Sequence, residues 1–438
     1  MKLKNIIELP CGLRYCFDNL KIQSSYARRY LLDSDILLDK SDIEEAYAQV
    51  RHYYDIFERE ASTIYHLQFS LQSLRDISTT LSRLSSGTVL DDIEFFEVKH
   101  LALLYNKIQG SGLEDVIEIL DPDGLHIETF YIYDSYSKEL AQLRAKMNRM
   151  EDGQEKYLLR EEALGLELEI RAKLSSTLLY AADKLINALE TLAKLDIAIA
   201  KAIQISELSL CFPTISTSPK NIFKGLFNPL VSSLLNEKGK EFQTIDIEYG
   251  DKPTLIIGAN MGGKTVVIKS LALSQCLFQF GFGVPALSAD INIYEDIFLV
   301  VGDGQNENEG LSSFSAEMLS IDKLLKAARN GKKMAAFIDE PARSTNPIEG
   351  TALVSALITN LRGLIDNVVV TTHYTVDNTE LNRLKVLGLI NGKMNYTLEE
   401  TQQGVVPNEA LNVAETLGID KHWLADARLF LNTNLKKD

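Results

Sequence analysis

The run Gly258-Ala259-Asn260-Met261-Gly262-Gly263-Lys264-Thr265 constrains this chain more than any other stretch. It matches G-x-x-x-x-G-K-[ST] and lies between the apolar run Thr254-Leu255-Ile256-Ile257 and a helical segment beginning near Val266, the strand, turn and helix that give this motif its physical meaning. Glycines let backbone N–H groups approach phosphate oxygens closely, and a helix N-terminus favours an anion. Lys264 is placed to reach the β and γ phosphates and the Thr265 hydroxyl to ligate Mg²⁺, with Gly258, Asn260, Met261, Gly262, Gly263 and Val266 completing an ATP cradle.

From Pro213 onward turn residues are frequent and short apolar runs alternate with helical segments, the texture of an α/β domain. Thr254 to Ile257, Ala335 to Ile338 and Val368 to Thr371 read as strands buried on both faces of a mainly parallel sheet. The second of these ends in Asp339-Glu340, where a P-loop ATPase holds its other metal-binding group. Asp339 is assigned to the Mg²⁺ shell, and Glu340 to the attacking water. His373 closes the third strand, within reach of a γ-phosphate. Gly310 to Met318 is a small-residue turn opening a helix, where Ser312, Ser313 and backbone donors either meet a second nucleotide or serve as a plain N-cap. Adenine stacking needs an aromatic, and Phe223, Phe227, Phe242 and Tyr249 are the candidates, each equally suited to core packing.

The first half differs. Residues 35–110 carry apolar positions at helical spacing, as in Ile43, Ala46, Tyr47, Val50, Tyr54 and Phe57. Phe130-Tyr131-Ile132-Tyr133 suits a strand or the run-in to a helix. Ser137 to Lys146 and Lys156 to Ala202 are rich in helix formers and broken only at Glu151-Asp152-Gly153, which predicts two long antiparallel helices with Leu178, Ala181, Leu185, Ala188 and Leu192 as a core stripe. With 438 residues, two domains are expected, a helical one over 1–215 and an α/β one over 216–438.

A net charge of -16 argues against a surface that is basic everywhere, although Lys138, Arg144, Lys146, Arg149, Lys156, Arg160, Arg171 and Lys173 form a stripe on the long helices. No apolar run reaches the roughly 18 residues of a membrane span. The four cysteines lack metal-type spacing, and the chain reads as cytoplasmic with reduced thiols.

In order along the chain, the phosphate loop at 260–264, Ser313-Phe314 with Glu317-Met318, Asp339-Glu340 followed by Arg343-Ser344-Thr345, and Thr372-His373-Tyr374 resemble the MutS family of ABC-type ATPases. Gly350 to Leu353 and Asn412 to Ile419 extend the likeness, and Ser24 to Leu32 and Leu192 to Asp196 are similar to the two ends of that family's core and lever region. Ala259, Asn228-Pro229 and Asp303 to Asn306 depart from the family pattern. The core-like sequence begins within the first thirty residues, and only a few residues around Met150 to Gln154 join the two helices. The expectation is a trimmed form without mismatch-reading, connector and clamp domains.

The resemblance implies a helical core and lever followed by an ABC-type ATPase, with ATP and Mg²⁺ bound at a composite site. Among the aromatic candidates it favours Phe242 for adenine, only because the spacing of Phe242 to the phosphate-loop strand resembles the family's. Ser312 and Ser313 of one subunit would cap the nucleotide of another, in a homodimer or a heterodimer with a related MutS-like subunit. Three functions are then open: a motor remodelling a client protein, as in factors that reactivate cobalamin-dependent aminomutases; an ATPase that binds mismatched or branched duplex DNA; and an ATP-binding scaffold with little turnover.

Overall fold

A computed structural model describes residues 1–125, 129–258, 263–302, 313–365, 367–376, 380–390, 393–402 and 419–434. The chain divides into two compact units, one of residues 21–34 and 52–202, the other of residues 1–20, 35–51 and 203–438.

The first of these units is helical. Its helices Lys138–Met147 and Gln154–Leu178 run antiparallel, with Arg144 Nη2 donating to Glu167 Oε1 at 2.8 Å and Lys146 Nζ to Glu155 Oε1 at 3.3 Å. Residues 148–153 make the whole join. The expected continuous second helix is interrupted: a 3-10 turn at Leu179–Ala181 separates it from the helix Ala182–Glu207. No Gly or Pro marks the break. Instead Ser175, Ser176 and Thr177 turn their hydroxyls back onto the carbonyls of Arg171 and Lys173, competition that bends helices. The stripe Leu178, Ala181, Leu185, Ala188 and Leu192 is buried as expected. Phe130 to Tyr133 forms no strand and leads into a 3-10 turn at Asp134–Tyr136.

Polar anchors fix this unit. Asp196 accepts from the backbone N–H of Gln23 and Ser24 and from Ser24 Oγ at 2.9 Å, and Ser24 in turn caps the helix Ser25–Asp33 by accepting from Ala27 N. The two stretches that resemble opposite ends of one core region therefore meet at a single carboxylate. Elsewhere Lys99 and Asp121, both fully buried, pair at 3.3 Å, with Lys99 Nζ also donating to Thr129 O and Tyr133 Oη.

Among its described residues the other unit carries ten strands: β1 Thr214–Ile215, β2 Asn221–Leu226, β3 Ile245–Tyr249, β4 Thr254–Ile257, β5 Ser288–Ile291, β6 Asp296–Val301, β7 Met334–Asp339, β8 Asn367–Thr372, β9 Asn382–Ile390 and β10 Lys393–Glu400. One sheet has the order β1-β5-β2-β3. The larger has the order β10-β9-β4-β8-β7-β6, parallel throughout except for the antiparallel edge strand β10.

Period-two alternation sorts the larger sheet's residues onto two faces. Leu255, Ile257, Met334, Ala336, Ile338, Val368 and Val370 form one core with the helices Ser313–Arg329 and Pro347–Leu361. The opposite face meets the helix Lys264–Gln279, which packs on β6, β7 and β8. Strands covered on both sides need no polar alternation, so the sequence shows them as unbroken apolar runs. The far end of the helix Lys264–Gln279 is tied down. Tyr47 Oη donates to Phe282 O at 2.6 Å and to Phe278 O at 3.2 Å, while Leu37 and Gln279 exchange two hydrogen bonds.

Candidate nucleotide site

Asp339 shares the alternation of Ala335 and Phe337 and so faces the helix Lys264–Gln279 rather than the other core. On β8, Thr371 falls on the same face. The result is a three-residue relay: Thr265 Oγ1 donates to Asp339 Oδ2 at 2.7 Å, and Thr371 Oγ1 donates to Asp339 Oδ1 at 2.6 Å. Thr371 Oγ1 also accepts from Glu340 N at 2.9 Å, fixing the residue after the strand.

Lys264 is the first residue of its helix and is buried. Its Nζ donates to Gly258 O at 2.8 Å and stands 3.0 Å from Glu340 Oε1. Gly263, before it, has φ 73°, and a Cβ there would lie 2.9 Å from the Tyr396 ring, so both backbone and space require glycine. Around Glu340 Oε2 stand Arg343 Nη1 at 3.6 Å and His373 Nδ1 at 3.9 Å. Burial lowers the His373 pKa from its ordinary value, opposed by Glu340 and aided by Lys264 and Arg343. His373 Nδ1 is buried and makes no hydrogen bond among the described residues.

The loop after β7 is strained. Glu340 has φ 41° and Ala342 φ 61°, a region that costs a side-chain-bearing residue about 1–2 kcal/mol. Ala342 N donates to Glu317 Oε1 at 3.0 Å, and Tyr374 Oη donates to Ala342 O at 2.8 Å. Burial raises the Glu317 pKa, Asp339 adds to the rise, and the bond from Ala342 N opposes it.

Beside the helix N-terminus lies a cavity of about 340 Å³ lined by Phe242, Tyr396, Gly263, Val266, Val267 and Leu235, among others. Phe242, the aromatic expected to stack on adenine, is among its lining residues. Two of its rivals are not: Phe223 and Tyr249 are fully buried and stacked on each other at 6.1 Å. Tyr396, on the antiparallel edge strand, had no motif to announce it. Asn228, where a His is usual in the resembled family, caps the helix Pro229–Asn236 by accepting from Val231 N and donates to Cys11 O at 3.0 Å.

Asn260, Met261, Gly262 and Ser312 lie outside the described residues, as do Ala259, residues 303–306 and residues 412–418; Ser313 opens its helix, but its side chain is likewise outside them. Among the described residues no three His, Cys, Asp or Glu side chains cluster as metal ligands, and no helix is long and apolar enough to cross a membrane.

Residues 254–429 match the family model described as MutS domain V, a span that opens on the first residue of β4 and contains most of the geometry above. Curated relatives called endonuclease MutS2 match over a longer stretch. That of Caldicellulosiruptor saccharolyticus is 32% identical over 278 residues, 60% of this chain and 33% of the relative. That of Carboxydothermus hydrogenoformans is 30% identical over 252 residues, 55% and 31% respectively. That of Caldanaerobacter subterraneus subsp. tengcongensis is 28% identical over 289 residues, 63% and 35%. The chain thus spans about a third of the length of the curated relatives it matches.

Proposed function

Because this chain belongs to the MutS family through the domain V at residues 254–429, we propose that it binds ATP at Gly258 to Thr265 and hydrolyses it to ADP and phosphate. The observation that carries the reading is the buried Lys264–Glu340 pair at 3.0 Å, beside an Asp339 already held by two threonine hydroxyls at one helix N-terminus. Transfer of a phosphoryl group to water needs a cation on the phosphates, a metal site and a base for the water, all close together.

In this reading Lys264 exchanges Glu340 for the β and γ phosphates, and the Glu340 carboxylate so released orients water and takes its proton. Thr265 and Asp339, hydrogen-bonded to each other at 2.7 Å, would hold Mg²⁺ through hard oxygens, and the ion would supply neutralisation of phosphate charge. His373, with Nδ1 free of hydrogen bonds among the described residues, reports the γ-phosphate. Adenine lies in the cavity between Phe242 and Tyr396. Ser312 and Ser313 of a second copy, or of a related MutS-like subunit, cap the nucleotide, so ATP favours the closed dimer by its differential affinity for it. The helical unit of residues 21–34 and 52–202 serves as the family's core and lever.

Two substitutions test the site. Lys264→Ala should abolish nucleotide binding in equilibrium titration. Glu340→Gln should keep binding but slow turnover by about a hundredfold or more. Unchanged turnover in Glu340→Gln would leave a nucleotide-binding scaffold.

What the protein grips is a separate matter. The relatives' name, endonuclease, points to a nucleic acid, which favours the duplex-DNA reading over a protein client. The arms weigh against a strong electrostatic hold. Of the eight cations in the stripe, Arg144 pairs with Asp134 and Glu167, Lys146 with Glu155, Lys156 with Asp152 and Arg171 with Asp92. An aminomutase client has no support from these relatives, and the reading proceeds without it.

A further inference from the structure

We propose that Glu317 and Tyr374 are positioning residues for ATP hydrolysis, holding the Ala342 peptide in its left-handed conformation and through it aiming Glu340 and Arg343. This rests on the ATPase reading above.

A left-handed alanine needs its surroundings to impose the conformation. Ala342 is fully buried, and each of its backbone polar groups is held by a side chain distant in sequence: its N–H by Glu317 from the helix Ser313–Arg329, its carbonyl by Tyr374 from the segment after β8, which shares that carbonyl with the local turn bond from Thr345 N at 3.2 Å. Tyr374 reaches that carbonyl over Gly350, where a Cβ would lie 2.4 Å from the phenol oxygen. The front of the loop is fixed independently, Glu340 N donating to both Thr371 O and Thr371 Oγ1. Glu340 is therefore held from the strand side by Thr371 and from the loop side by whatever keeps Ala342 in place.

Those holders belong to functional elements. Glu317 is in the second turn of the helix that Ser313 opens, the end assigned to the partner nucleotide, and Tyr374 follows His373 directly. A shift of either element moves the Ala342 peptide, and with it the Glu340 carboxylate and the exposed Arg343 guanidinium 3.6 Å away. Glu317 and Tyr374 act through this peptide.

The test uses the full chain and separates binding from turnover. Glu317→Ala and Tyr374→Phe should each lower kcat about tenfold or more, while affinity for a non-hydrolysable ATP analogue stays within about twofold. Glycine takes up a positive φ without help. In an Ala342→Gly background the same two substitutions should therefore cost less than about threefold relative to Ala342→Gly alone. A loss equally large in that background, an unchanged kcat in the single variants, or a loss of analogue affinity would each overturn the proposal. Should Glu317→Ala fail to fold by circular dichroism, Tyr374→Phe, which removes one oxygen, carries the test. If Lys264→Ala turns over like the unaltered chain, the ATPase reading itself has failed. If Lys264→Ala loses nucleotide while Glu317→Ala and Tyr374→Phe turn over normally, only the positioning proposal has.

Discussion

Thr371 Oγ1 gives its one proton to Asp339 and receives that of Glu340 N, so a single hydroxyl sets the spacing between the two carboxylates. Asp339 was named from the acidic pair that ends an apolar run, and strand alternation explains where it points, since the parity that buries Ala336 and Ile338 on one face sends Asp339 and Thr371 to the other. Other residues left no such trace. Tyr396 reaches the phosphate-loop helix only because β10 folds back along β9, and the positive φ of Ala342 is imposed by partners rather than encoded by a glycine. The aromatic pair makes a prediction at this scale. Phe242→Ala and Tyr396→Ala should each weaken ATP binding by about 1–3 kcal/mol, the worth of a stacked base, while leaving inorganic tripolyphosphate affinity unchanged in competition titrations. Equal losses for both ligands would remove adenine from that cavity.

At the scale of elements, the buried strands were legible because both-face burial writes unbroken apolar runs, and the helix Lys264–Gln279 because the glycine-rich motif before it opens a helix. The 3-10 break at Leu179–Ala181 was not, because hydroxyl groups bonding back to carbonyls leave composition and periodicity untouched. Within the helical unit the fully buried Lys99–Asp121 pair ties the helix Asp92–Gln109 to the segment beyond the helix Glu114–Leu120. Removing one partner strands a charge. Lys99→Met should destabilise the chain by about 3–5 kcal/mol in denaturant titration, and adding Asp121→Asn should restore part of the loss. A Lys99→Met chain as stable as the original would show the pair to be dispensable.

For the whole molecule, charge decides what the arms can hold. With Arg144, Lys146, Lys156 and Arg171 already in ion pairs with carboxylates, Lys138, Arg149, Arg160 and Lys173 are the members of the stripe without such a close pair among the described residues. Duplex DNA held by those arms should show a slope of log affinity against log salt shallower than about -4 per chain, in fluorescence anisotropy titrations. A steeper slope would mean a basic surface elsewhere. The phosphate-loop helix supplies the last consequence. Its sixteen residues make a rod about 24 Å long. Thr265 pins it at one end to Asp339, and Tyr47 and Leu37 pin it at the other. A rod anchored at both ends is not free to fray in its last turn, so on the ATPase reading proposed above the nucleotide end and residues 37–47 are the two ends of one braced element.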